Sequence, residues 1–528
     1  MRRMDFAAER WVEAAAAAKR FDLDGPAAAE EWLSGPFAVI AGASAYAQSL
    51  QRLAAGKSTY RRRSVRTGTD GRVVVEVLPF DWYDSILLSG YALEVWMQPA
   101  VTEATLAENT ASSYRVRPEP SLCAVMGAGN VGSIPLLDAL YKLIVEGQVV
   151  VLKPSPVNEY LGRLFEEVLV DFVDRGYVRI VYGDAQAGEA LIGSTLVDTV
   201  HLTGSRATHD AIVWGTGAEA ERRRAAGEPR VTKPITSELG GVSPVIVAPG
   251  PWSAADFRYQ AEQIATAKLI NVGYNCIAPQ ILVLPDGWEG SSRLVEAIGE
   301  VIDELGPRYA YYPGGEDRRT ELAARPGAVT VGGCQTTIVP DLLAGSGDPL
   351  FREECFTAGF GVVRLPFSDP AYFLQSAVQF ANSQLEGSLG ANLVVHPDTA
   401  AEFAPHLEAA IGNLRYGAVA VNVWTALNFL LPRGSWGAFP GNTVESVGSG
   451  VGIVHNALLF DRPEKTVARG PFAPMPRAWK LGELHLSPPP PWSLFCKNGA
   501  EITRRLTRFV ANPRPQAVPA LVREALKA

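Results

Sequence analysis

The segment Gly127-Ala128-Gly129-Asn130-Val131-Gly132 is a GxGxxG turn between an apolar run and a helical pattern. Backbone N–H groups in such a turn can approach a dinucleotide pyrophosphate. The usual form of that site also needs an acidic residue at the end of the next strand, to bond the adenosine ribose. Here the next strand ends in Lys153-Pro154-Ser155-Pro156, so a lysine stands where the acid belongs. A plain tight turn accounts for the glycines equally well. A second phosphate-holding candidate is His201-Leu202-Thr203-Gly204-Ser205, a strand end that runs into a helix start. Helix N–H groups and a serine hydroxyl favour an anion there, and a simple serine N-cap reads the same way. Glu238, in Ser237-Glu238-Leu239-Gly240-Gly241, precedes a buried strand and is either a turn residue or a general base. Cys123, Cys276, Cys334, Cys355 and Cys496 are far apart, odd in number and free of CxxC or Cys/His clustering. That pattern argues against a disulfide framework and a structural zinc site, and suits free thiols in a reducing compartment. One of them is a candidate nucleophile.

These residues need elements to present them. Residues 1–55 read as helices and 72–78 as a strand. From about 119 a strand–helix rhythm begins: a buried strand at 121–126, a helix at 135–145 with Pro135 in its first turn, and a β-branched strand at 148–152. The apolar face of Tyr160, Leu161, Leu164, Phe165, Val168, Leu169, Phe172 and Val173 predicts one long helix, with Asn158 as N-cap and Gly176 as stop. Strands at 178–182, 199–202 and 242–248 follow, with a helix near Gly188. Alternating units of this size predict a parallel sheet with helices on both faces and ligands at the carboxyl ends of its strands. A second α/β stretch runs from about 251 to 440. The proline-rich tail from about 462 ends in a basic segment that reads as a solvated helix plus linker.

The motifs together resemble the aldehyde dehydrogenase superfamily. In order they are Val150-Val151-Leu152-Lys153-Pro154-Ser155, His201-Leu202-Thr203-Gly204-Ser205, Ser237-Glu238-Leu239-Gly240-Gly241-Val242-Ser243-Pro244, Gly273-Tyr274-Asn275-Cys276-Ile277-Ala278 and Glu353-Glu354-Cys355-Phe356. Ala381-Asn382, Leu389-Gly390 and Val421-Asn422, then Pro432 and Gly437, complete the series. The resemblance covers roughly residues 120–450. It implies an α/β fold of two Rossmann-like parallel-sheet domains, for cofactor binding and catalysis, plus a small oligomerisation extension. The expected boundaries are 1–242 for the N-terminal helices and NAD(P)-binding domain, 243–440 for the catalytic domain, and 441–528 for a returning segment, oligomerisation region and tail.

The resemblance further implies Cys276 as nucleophile, Glu238 as the base that hydrolyses the thioester, and Asn130 as an oxyanion donor. If Pro135 anchors the alignment, Ser133 takes the place of Asn130. Lys153 and Ser155 would meet the adenosine ribose, Gly204 and Ser205 the pyrophosphate, and Glu354 and Phe356 the nicotinamide end. NAD or NADP is expected. Pro156 stands where many NAD-preferring members carry an acid, so the 2′-phosphate of NADP should be tolerated. No metal is expected. A CoA-linked acylating enzyme and an inactive binding relative are the alternative readings.

Some departures from the family pattern bear on the substrate side: Tyr274 for the glutamine, Thr357-Ala358 for Gly-Pro, and an unusual Tyr311-Tyr312-Pro313-Gly314-Gly315. Trp82-Tyr83 and Trp424 read as core packing, with an apolar tunnel as the alternative. The formal net charge of -8 sets aside nucleic acid as a partner. No apolar run of ~18 residues predicts a membrane helix, and no signal core follows the N-terminal arginines. A cytoplasmic homodimer or homotetramer acting on a small aldehyde is the expectation.

Overall fold

The computed structural model describes residues 1–116, 118–366 and 369–527. Two large sheets organise the chain. The smaller has six strands in the order Gly450–Val451, Ile235–Leu239, Thr199–Gly204, Leu122–Met126, Val149–Lys153 and Val178–Ile180. All pair in parallel except Gly450–Val451, which runs antiparallel to Ile235–Leu239. Register aligns Met126 with Lys153 and with Leu202, and Thr203 with Glu238. The strand carboxyl ends that bear the sequence motifs therefore form one rim.

The larger sheet has eleven strands. Its centre is parallel: Ala418–Val421, Gly390–Val394, Ser243–Val247, Pro279–Pro285, Gly359–Leu365 and Thr336–Leu342 lie side by side. Pro463–Arg469 adds in parallel at one side, and the antiparallel meander Val65–Thr67, Val73–Leu78 and Ala92–Met97 extends it. The early strand at 72–78 thus belongs to the sheet built by residues 243–469, not to the N-terminal unit in which the sequence places it. Its residues Val73, Val74, Val75, Val77 and Leu78 are buried, which an isolated surface hairpin could not provide.

Helices Arg2–Lys19, Pro26–Trp32 and Ala38–Ala54, with an intervening π-turn at Leu33–Phe37, pack against the six-stranded sheet. The tail helix Gly499–Ala511 joins the same layer. Ile502, Phe509 and Val510 face inward, while Arg508 pairs with Glu9 at 2.7 Å on the outside. The tail is a built wall, not the linker expected from its composition. Tyr83 and Trp82 pack edge-on against Phe509, but Trp82 is half exposed rather than in the core, and neither lines the two cavities at Cys276.

The long helix expected at 158–176 is broken into a 3-10 turn Pro156–Leu161 and helices Gly162–Val168 and Val170–Asp174. Asn158 does not cap it. Its side chain is buried and donates to the Ala128 carbonyl at 3.0 Å, tying this segment to the GxGxxG turn. Ser155 is the residue before the turn, and its hydroxyl accepts from the Val157 N–H.

Pairing of Gly450 with Glu238 is tight. A Cβ at residue 450 would lie 2.2 Å from the Ser237 carbonyl oxygen, on a backbone with φ +127°. Gly450→Ala is expected to destabilise the protein by about 1–3 kcal/mol. A lower thermal midpoint would show it. Gly193→Ala, at a site with nothing within 4 Å, should leave the midpoint unchanged or slightly higher.

Candidate active site

The rim of the six-stranded sheet opens onto a cleft of about 1090 Å³. Met126, Lys153, Leu202, Thr203, Gly204 and Glu238 line it from the strand ends. Its walls allow few Cβ atoms. At Gly129 one would sit 2.7 Å from Ser155 Oγ, and at Gly240 one would sit 2.3 Å from a Glu354 carboxylate oxygen. Lys153 is buried, and burial pulls it below the usual lysine range against the carboxylates of Glu159 and Asp184. Ser205 caps helix Arg206–Trp214, its hydroxyl accepting from Thr208 N–H at 3.1 Å, so the plain N-cap is present at the cleft edge.

Cys276 follows a turn in which Asn271, Val272 and Gly273 all have positive φ. A Cβ at Gly273 would meet the Thr357 carbonyl oxygen at 2.5 Å, so glycine is required for the approach. The thiol lies between two cavities. One is the cleft. The other is a smaller apolar pocket of about 80 Å³, walled by Ile134, Trp424, Phe429, Trp436 and Trp492. Trp424 Nε1–H donates to the Ile277 carbonyl at 3.1 Å and Trp436 Nε1–H to Glu238 Oε1 at 3.1 Å. Both indole donors are thereby satisfied.

Glu238 is buried, and its carboxylate and the Cys276 thiol share the cleft. Burial, then the nearby Asp138 carboxylate, pushes Glu238 up to about 7, against the Trp436 and Cys276 hydrogen bonds. Burial, Glu238 and Glu354 together raise the Cys276 thiol well above its ordinary range. Glu354 is pushed up to about 8, first by burial, with Lys268 opposing. In a dry site carboxylates resist ionisation, and a thiol beside them holds its proton.

Asn130 lines the cleft, and its Nδ2 donates to the Tyr274 carbonyl at 3.1 Å. Ser133 is fully buried, and its hydroxyl donates to the Ser34 carbonyl. Of the two oxyanion candidates only Asn130 faces the cleft. Ser155, Gly204, Ser205, Glu354 and Phe356 also line it, so the structure gathers all of these residues around one cavity.

Residues 84–305 match the model of the aldehyde dehydrogenase family. That stretch is under half of the chain, and over it the chain is similar to the family. A coniferyl aldehyde dehydrogenase of Pseudomonas sp. is 30% identical over 192 residues, which is 36% of this chain and 36% of that protein. N-succinylglutamate 5-semialdehyde dehydrogenase 1 of Caulobacter vibrioides is 29% identical over 262 residues, 45% of this chain and 51% of that protein. The matched stretches thus span about a third to a half of these curated relatives. The fold likeness is broader. A Mycobacterium tuberculosis aldehyde dehydrogenase solved with NAD+ superposes with TM-score 0.54 at 18% identity, covering 90% of this chain and 84% of the other. The α/β architecture is that of aldehyde dehydrogenases.

Against the family motifs, the departures form one spatial cluster. Tyr274, Tyr312 and Phe356 pack together, with ring centroids 5.4 Å apart for Tyr274–Tyr312 and 5.2 Å for Tyr312–Phe356. Tyr274 fits because residue 315 is glycine: a Cβ there would lie 2.0 Å from the phenol oxygen. Tyr312 and the motif residue Phe356 line the large cleft, none of the three lines the apolar pocket, and Val131 and Ile134 of the GxGxxG loop do line it. Cys355 points elsewhere, its thiol donating to Gln280 Oε1 at 2.6 Å, with Lys268 Nζ at 3.6 Å.

Sequence reasoning missed Lys268, Asp138 and Trp436. The first two are charged residues inside apolar helical stretches, Ile264-Ala265-Thr266-Ala267-Lys268-Leu269 and Leu136-Leu137-Asp138-Ala139-Leu140. A buried charge is costly unless it is partnered, and that signal could have exposed both.

The raised Glu238 carries a stability signature. Because its folded-state value of about 7 lies above the ordinary 4.5, its contribution to stability is intact below about 4.5 and is lost as pH rises through about 7. Glu238→Gln cannot ionise. Its thermal midpoint relative to the native protein should therefore be higher at about pH 8 than at about pH 5. A difference independent of pH would contradict an ionising buried Glu238.

Proposed function

We propose that this chain oxidises an apolar aldehyde to its carboxylate, with a nicotinamide dinucleotide as hydride acceptor. One observation carries the reading: Cys276 sits where a dinucleotide-sized cleft meets an aromatic-walled pocket, and the buried Glu238 lines the same cleft. In this reading the six-stranded unit holds the cofactor and the eleven-stranded unit carries the nucleophile.

The residues present fit such a cofactor, since glycines at 129 and 240 leave room where a Cβ would collide. Lys153 and Ser155 would hold the adenosine ribose, Gly204 and Ser205 the pyrophosphate, and Glu354 and Phe356 the nicotinamide end. When bound, the dinucleotide supplies the hydride acceptor that converts the Cys276 adduct to a thioester.

The chain's own residues do the rest. The Cys276 thiol gives its proton to solvent, and the thiolate attacks the aldehyde carbon presented from the apolar pocket. The oxygen becomes an alkoxide, which the Asn130 amide and the Cys276 N–H are placed to receive. Losing one such donor typically raises a barrier by roughly 3–4 kcal/mol. For hydrolysis Glu238 removes a proton from water, the oxygen adds to the thioester carbon, and the C–S bond breaks to return the thiolate. Burial in the apolar pocket selects the substrate, because a charged aldehyde would be desolvated there without a partner.

Purified protein should form NAD(P)H with aromatic and medium-chain aliphatic aldehydes, and turn over short charged semialdehydes at least ~10-fold less efficiently. Cys276→Ala should abolish turnover and Cys355→Ala should retain it. Glu238→Gln should accumulate acyl-enzyme, visible as a mass increase on Cys276. Activity that needs CoA would move the chain to an acylating reaction. Full activity in Cys276→Ala would sink the assignment. With Pro156 in place of an acid, kcat/KM with NADP should lie within about tenfold of that with NAD, a gap of ~1.4 kcal/mol.

A further inference from the structure

A second buried carboxylate, Asp138, is bonded by Thr203, the residue paired in register with Glu238, and has no part in the steps above. Asp138, on helix Ile134–Ile144, has no exposed surface. Thr203 Oγ1–H donates to its Oδ2 at 2.7 Å, and His201 Nε2 lies 3.5 Å from the same oxygen. On its other side the His201 ring meets Thr236 Oγ1 at 2.9 Å. Lys142 Nζ donates to that hydroxyl at 2.8 Å and to Glu146 at 2.7 Å.

The chemistry of these groups fixes the direction of the chain. An ammonium can only donate, so Thr236 accepts from Lys142, which leaves its own hydrogen for a bare His201 Nδ1. His201 then carries its proton on Nε2, directed at Asp138 and Thr203. Every donor from Lys142 inward points toward the Asp138 carboxylate. The chain starts at Glu146, whose side chain is 32% exposed, and ends on a carboxylate in the dry interior. Among the described residues, Asp138 Oδ1 meets no donor.

His455, near Asp138, is held down at about 4 by burial, so it is neutral at physiological pH. Tyr46 gives its hydroxyl hydrogen to the His455 carbonyl. Lys142 is separated from Asp138 by Thr236 and His201. Glu238 itself faces the Cys276 thiol, the Trp436 N–H and the Glu354 carboxyl, none of them a cation. Lys268, the nearest cation on the Glu354 side, has its ammonium on Cys355.

We propose that Asp138 is a positioning residue for the base: a second carboxylate, held by an inward-pointing chain through Thr203, His201, Thr236 and Lys142, whose charge makes Glu238 a stronger base than burial alone would. This rests on Glu238 acting as the base in thioester hydrolysis. Like charges in a dry site favour the protonated form of one another, and a base of higher proton affinity removes a proton from water more effectively.

The test follows hydrolysis of the acyl-enzyme by quenched-flow mass measurement across pH, in the holoenzyme with a hydrophobic aldehyde. In the native protein the rate rises as Glu238 loses its proton. Asp138→Asn should move that limb down by about 1 pH unit and lower its plateau about 3–10-fold, with acylation of Cys276 preserved. Should Asp138→Asn fail to fold, Thr203→Val removes the 2.7 Å donor and should move the limb the same way by less. A purely structural Asp138 would reduce the amount of active enzyme and leave the limb in place, and that result overturns the inference while leaving the base intact. Glu238→Gln should lack the limb. A limb that survives there overturns the base assignment, and this inference with it.

Discussion

The site depends on how abruptly the chain passes from one sheet to the other. Strand Ile235–Leu239 ends the smaller sheet's share of this segment, and strand Ser243–Val247 opens the larger one. Only Gly240, Gly241 and Val242 lie between. A Cβ at Gly240 would strike the Glu354 carboxylate, and one at Gly241 would lie 2.7 Å from Ser449 Oγ. Two glycines are therefore the condition for bringing Glu238, on one sheet, beside groups carried by the other. Ser449 ties the crossing down, accepting from Ser388 N–H at 2.8 Å and donating to the Gly240 carbonyl at 3.1 Å.

Dryness is the second condition. Glu238, Glu354 and Cys276 are three potential anions in one enclosed space, and burial pushes each toward its neutral form. The resting arrangement is a protonated thiol beside carboxyls pushed up to about 7 and about 8. Charge on the sulfur is favoured by arrival of a positively charged group, since an ionised glutamate beside it disfavours a second anion. The hydrogen bonds of Trp436 and Asn130 are already in place before that moment, so little reorganisation is left to do.

The sequence made the rim of the smaller sheet legible because its signals are local. Gly127 and Lys153 each end an apolar run, Gly204 and Glu238 lie in motifs at strand ends, and parallel pairing brings such ends together without further information. Helix breaks were not legible. The apolar stripe from Tyr160 to Val173 is a good helix by period, but Asn158 turns inward to Ala128, and a Cβ at Gly162 would lie 2.4 Å from the Tyr182 ring, so tertiary contacts dictate the segment's path. The strand at 73–78 was found, yet its partner at 463–469 lies far along the chain, and pairing over that distance leaves no local trace. The same holds for Trp436, which reaches Glu238 only through folding.

The aromatic pocket beside Cys276 is assembled from stretches far apart in the chain. Leu33 and Ser34 come from near its start, Trp424, Phe429 and Trp436 from the late strands and loops, and Trp492 from the tail. All of these lie outside residues 84–305, the part that matches the family, whereas Val131, Ile134, Ile270 and Ile277 of the same wall lie inside it with Glu238 and Cys276. Substitutions at the ends of the chain can therefore reshape part of that wall while the matched stretch stays as it is.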